Sequence, residues 1–126
     1  MRRRAKYCSD TCREIDARGN YHVANATLGI SPGTVGAMGE LLVSVDLMRR
    51  GYDVFRALSP NCACDLAVVA AEGLIRIEVR TGYRSRTGSL HYSHNKPGQE
   101  CRYDIMAVVL HDGTITYLPE LPAKTP

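Results

Sequence analysis

Residues 74–83, LIRIEVRTGY, set apolar Ile75, Ile77 and Val79 against charged Arg76, Glu78 and Arg80. A period of two marks a strand with one covered face, and it puts Glu78 and Arg80 on the same side. Upstream, DLAVVA (65–70) reads as a second strand, and Ala71-Glu72-Gly73-Leu74 as the turn between them. With Glu72 and Gly73 as loop residues, Ala71 pairs with Leu74, Asp65 falls opposite Arg80, and Ala67 falls opposite Glu78. Opposed residues, and residues two apart, share a face. Asp65, Glu78 and Arg80 are therefore expected on one patch. A one-residue slip would send Asp65 to the other side.

Further out, GAMGELLVSVDLMRR (36–50) is the strongest helix signal. Met38, Leu41, Leu42, Val45 and Met48 recur at helical spacing and predict the buried stripe. Val43 and Leu47 add apolar character on the other side, so protein should cover much of this helix. Arg49 and Arg50 suit its C-terminus and Gly51 its end. YDVFRAL reads as a strand, SLHYSH as a short one, and YDIMAVVL with TITYL as a hairpin through His111-Asp112-Gly113. The expected class is α/β (α+β): one N-terminal helix followed by a mixed, mostly antiparallel central sheet. Residues 1–19 form a basic, cysteine-bearing segment, 20–35 a linker with a Ser-Pro-Gly turn signal, 36–121 the domain, and 122–126 a tail.

A chain of 126 residues suffices for one compact domain with a short appendage. Hydrophobic content of 44% and charged content of 23% exclude wholesale disorder. No apolar run approaches the roughly 20 residues of a membrane span, and the basic start lacks the apolar stretch of a signal peptide. The expected location is cytoplasmic, and the five cysteines are expected as thiols. The net charge of +3 is modest but clustered. Arg2, Arg3, Arg4, Lys6 and Arg13 face only Asp10. Arg76, Arg80, Arg84, Arg86, Lys96 and Arg102 are opposed only by Glu78 and Glu100. Such clusters fit a polyanion or a solvated face equally well.

Two carboxylates beside a backbone carbonyl suit a hard cation such as Mg2+, which also accepts phosphate oxygens. An ordinary cross-strand Asp–Arg pair would give the same pattern. The order of motifs adds to the first reading. GAMGELLVSVDLMRRGYDVFR, CDLAVV, RIEVRTGY and RYDIMAVVLHDGTITYLP together resemble the PD-(D/E)xK nuclease superfamily, with its restriction-endonuclease-like core. Within it, they resemble the small homing-endonuclease and Holliday-junction-resolvase type, over roughly residues 33–121.

The resemblance implies a Mg2+- or Mn2+-dependent DNA endonuclease that hydrolyses phosphodiester bonds. It implies Asp65 and Glu78 as metal ligands, the Val79 carbonyl as a further ligand, and Glu40 as a helix-borne acid that completes the shell or orients a water. The motif proline is replaced by Cys64. Arg80 stands where the family carries lysine. Arginine in effect never gives up its proton, so it can orient the nucleophile or clamp a phosphate but cannot act as a base. Arg84, Arg86, His91, His94 and Lys96 are placed to meet DNA phosphates, which set affinity and salt dependence. A homodimer would supply a second active site.

KYCSDTCRE (6–14) resembles the second half of a zinc knuckle. Zinc would need two ligands beyond Cys8 and Cys12, and Cys62 with Cys64, or His22, are the candidates. Two other functions fit the sequence: a catalytically silent DNA-binding module of the same fold, and a zinc-dependent interaction protein.

Overall fold

The computed structural model describes residues 28–93, 95, 97 and 102–124. The readings made of Cys8, Cys12, His22, His94 and Lys96 lie outside the described residues. Helix α1 spans Pro32–Arg49. It begins at Pro32, not at Gly36, because Ser-Pro-Gly serves as a helix start. The Ser31 hydroxyl accepts the Thr34 N–H at 3.2 Å, and Pro32 takes a first-turn position where a missing N–H costs nothing. The end is as expected: Gly51 adopts φ 87, and its N–H reaches the Met48 carbonyl at 2.9 Å.

Six strands follow: β1 (Val54–Arg56), β2 (Leu66–Ala70), β3 (Gly73–Arg84), β4 (Leu90–Tyr92), β5 (Ile105–Leu110) and β6 (Ile115–Leu118). They form one sheet in the order β1-β2-β3-β5-β6, with β4 also paired to β3. The β3–β5 pair is parallel, and the other pairs are antiparallel. The architecture is thus α+β, with the mixed and mostly antiparallel sheet that the sequence implies. The hairpin at His111-Asp112-Gly113 also forms. Val109 faces Ile115 across it, and Asp112 accepts the Thr114 N–H at 2.9 Å.

The β2–β3 register differs from expectation. Ala70 pairs with Gly73 and Leu66 with Ile77, so Ala67 faces Arg76 and not Glu78. The loop residues are Ala71 and Glu72. Gly73 takes φ 119 as it re-enters the ladder, a conformation open to glycine and costly for other residues. The shift moves each partner by two positions, so it preserves which residues share a face.

The core also differs. Gly39, Val43 and Leu47 are the buried positions of α1, while Met38, Leu41, Leu42, Val45 and Met48 are 42–57% exposed. Two apolar stripes compete on this helix. The buried one carries Gly39, where a Cβ would already lie 3.6 Å from the Val79 side chain, so the helix backbone approaches β3 closely. Val43 and Leu47 then join Leu66, Val68, Ile77, Ile105, Ala107 and Val109. On the opposite face of the sheet, Met106, Val108 and Leu110 pack with Leu90, Tyr92, Tyr103 and Leu118. Strand β5 is therefore covered on both sides, which explains its unbroken apolar run.

A polar latch holds the end of α1 to β6. The Tyr117 hydroxyl donates to Asp46 at 2.6 Å, the Arg50 Nε donates to the same carboxylate at 2.9 Å, and Arg50 lies over the Tyr117 ring. Burial and the adjacent carboxylate push the Tyr117 hydroxyl far above its ordinary pKa, so it stays a donor at neutral pH.

At the far end, β4 crosses β3 beside Gly82. A Cβ there would sit 2.6 Å from both the His91 carbonyl oxygen and a Val108 methyl. Backbone cannot yield as a flexible side chain can. Gly82→Ala is expected to lower stability by about 1–3 kcal/mol, read as a lower urea midpoint with an unchanged slope.

Candidate active site

The site begins where the β2–β3 ladder stops, at the N-terminal end of β2. Successive residues of β3 aim their backbone groups alternately at β2 and at β5. The Ile77 carbonyl accepts the Asp65 N–H at 3.1 Å, so odd positions aim at β2. Past Leu66 the ladder ends, and the Val79 N–H donates to the Asp65 carboxylate at 2.8 Å. The carbonyl of a strand residue leaves on the same side as its N–H. Val79 C=O therefore points toward this edge as well, between the residues paired with β2 and those paired with β4.

Asp65, Glu78 and Arg80 line one depression, together with Cys62, Arg102 and Tyr103. The convergence expected from the alternation is present, although in this register Asp65 falls beside Glu78 and not Arg80. Burial raises the Glu78 pKa first, and repulsion by Asp65 raises it further. Arg80 and Arg102 oppose both effects. The Arg80 side chain is only 11% exposed; its guanidinium lies 3.7 Å from Glu78 and donates to the Ser93 carbonyl. The cation is thus clasped between an acid and a backbone oxygen, with little rotamer freedom.

Glu40 sits apart from Glu78. Its carboxylate accepts a hydrogen bond from Arg56 of β1 at 3.1 Å. With Arg56, Cys62 and Cys64 it lines a neighbouring depression that shares Asp65 with the first. Asp65 is the hinge between the two acids. Among the described residues, no three His, Cys, Asp or Glu side chains are grouped closely enough to hold a metal. Two carboxylates that repel each other nevertheless fit a divalent ion, which would relieve that repulsion.

The basic cluster is less free than its sequence implies. Arg76 makes a two-pronged ion pair with Asp104, at 2.9 and 3.1 Å. The Arg76 N–H also donates to Asp104 at 2.8 Å. This pairing holds the Asp104 carboxyl below its usual range. Asp104 is 28 positions away from Arg76, so sequence proximity concealed it. Arg84 is exposed and caps the next turn through the Gly88 carbonyl at 3.0 Å; Arg86 is exposed beside it. Sequence reasoning placed Arg102 in a cluster without a role, and it overlooked Arg56 and Tyr103. The Tyr103 hydroxyl donates to Asn95 at 2.7 Å. For Arg102, the available signal was its place just ahead of the apolar run of β5.

No protein-family model matches the chain, and no curated protein matches it in sequence. Among solved structures, the bacterial homing endonuclease I-Ssp6803I is similar in fold, with a TM-score of 0.58 at 16% identity. The match covers 69% of this chain and 64% of that one, so the chain spans a little under two thirds of its neighbour. The likeness establishes a shared fold.

The raised Glu78 pKa carries a stability consequence. A carboxyl that holds its proton more tightly when folded favours the native state most below the ordinary glutamate pKa. That contribution is lost as pH rises through the folded value. Without divalent ions, Glu78→Gln should therefore melt above the wild type at neutral pH. The gap should shrink as pH falls toward about 4, as followed by thermal denaturation across pH.

Proposed function

We propose that the chain is a metal-dependent DNA endonuclease of the PD-(D/E)xK kind, acting on phosphodiester bonds. The observation that carries this reading is the junction at the end of β2. There Asp65 and Glu78 line one depression, and the Asp65 carboxylate accepts the Val79 N–H. Asp65 and Glu78 would hold Mg2+ or Mn2+, with Val79 C=O as a further ligand. Such an ion polarises the phosphodiester, offsets developing charge and lowers the pKa of a bound water.

The side chains around the ion have separate tasks. Arg80 carries a permanent charge and a forked set of donors, so it clamps a phosphate or orients the attacking water but accepts no proton. Arg102 adds positive charge on the same side. Glu40 completes the site from the helix once it leaves Arg56, and the ion pair with Arg56 positions it in the meantime. Arg84 and Arg86 meet DNA backbone phosphates along the β3–β4 turn, with Lys96 proposed for the same role. DNA is the partner, and a homodimer would present two sites to two strands.

The test is cleavage of linear and branched DNA with Mg2+ or Mn2+. Asp65→Asn and Glu78→Gln should each lower the rate by about 100-fold or more, and chelation should abolish it. Binding without cutting by the wild type would leave the silent DNA-binding module, a reading that the engagement of Arg80 with Glu78 and Ser93 favours. Arg80→Lys separates two roles of the cation: faster cleavage marks a site weakened by arginine, and lost cleavage marks a role that only the guanidinium fills. Arg84→Ala should weaken DNA binding uniformly across sequences and reduce the salt slope by about one.

A further inference from the structure

Helix α1 keeps one apolar stripe out of the core. Met38, Leu41, Leu42, Val45 and Met48 are 46%, 57%, 42%, 42% and 55% exposed. Scattered surface hydrophobics need no explanation, but a continuous stripe along three turns does. Met38, Leu41, Val45 and Met48 are spaced three, four and three residues apart, the spacing of a seam between two helices.

We infer that this stripe is a self-association surface, which pairs α1 with α1 of a second copy of the chain in antiparallel fashion. The seam is symmetric about position 43, so an antiparallel twofold contact sets Met38 against Met48 of the partner subunit. It likewise sets Leu41 against Val45 of the partner subunit. A contact of this type uses the same patch on both copies.

The flanking positions suit such a contact. Ala37 and Ser44 border the stripe, and both are small enough for helix backbones to approach. The Ser44 hydroxyl already donates to the Glu40 carbonyl at 2.7 Å, so covering it strands no polar group. The charged end of the helix, at Arg49 and Arg50, lies at opposite ends of the pair in the antiparallel arrangement. That keeps like charges apart. A stable interface needs about 1,000 Å2 of total buried surface. Five large side chains, each about half exposed on both helices, supply most of that area in apolar form.

The arrangement gives the proposed nuclease its second site but does not depend on cleavage. The test is sedimentation equilibrium of the full chain over a range of concentrations, beside Leu41→Glu combined with Val45→Glu. The wild type is expected to sediment as a dimer. The doubly acidic variant is expected to associate at least about tenfold more weakly, with an unchanged circular dichroism spectrum, because its substitutions are solvent-exposed. Leu41→Gln, milder in charge, is read in the same way if the acidic variant fails to fold. A wild type that stays monomeric throughout overturns the inference, including the case where other parts of the same chain cover the stripe. So does a folded variant that keeps wild-type association. Mass is read without cleavage, so loss of the dimer leaves the nuclease reading standing, and an inert dimer leaves the interface standing.

Discussion

A hydrogen bond from the Val79 N–H to the Asp65 carboxylate governs the architecture around the site. Strand β3 outlasts β2, and a backbone donor would otherwise be left without a partner where β2 ends. Buried backbone donors are rarely left unpaired. The side chain of Asp65, the residue just before β2, takes the place of the next ladder acceptor where the chain enters from β1 through the loop at 57–64. The same bond fixes one oxygen of Asp65, whose charge raises the pKa of Glu78. A single donor thus caps the β2–β3 ladder and orients an acid.

Much of this could be read in the residues. The alternation of Ile75, Ile77 and Val79 against Arg76, Glu78 and Arg80 specified the faces of β3, and the expected convergence of Asp65 with Glu78 and Arg80 survives a displaced register. It survives because the pairing moved by two positions, and strand faces repeat every two residues. The helix was less legible. Its two apolar stripes have similar composition, and periodicity alone cannot choose between them. Gly39 decided the matter through backbone approach to Val79, a property that a hydrophobicity pattern does not carry. The start at Pro32 was hidden because serine and proline begin helices and turns by the same local chemistry.

Electrostatics at the site follows from which charges the sheet brings near. Asp104 removes Arg76 from the basic cluster through an ion pair between distant positions. Arg102 joins the site because β5 runs parallel to β3 and begins beside Glu78. Neither pairing has a local signature. Arg80 was visible in the sequence as a charge on the face of Glu78, but its setting was not. Arg80 is held by Glu78 on one side and by the Ser93 carbonyl on the other.

That second hold has a consequence at a distance. Ser93 follows β4, and β4 is set against β3 by the turn at 85–89, where the Ser85 N–H donates to the Ser89 carbonyl at 2.9 Å. The length of that turn determines which carbonyl reaches Arg80. Adding or removing one residue there would rotate β4 past its partner and offer the guanidinium a different oxygen, with no change at any acidic residue. The orientation of the Arg80 guanidinium is in this sense measured out by the turn at 85–89.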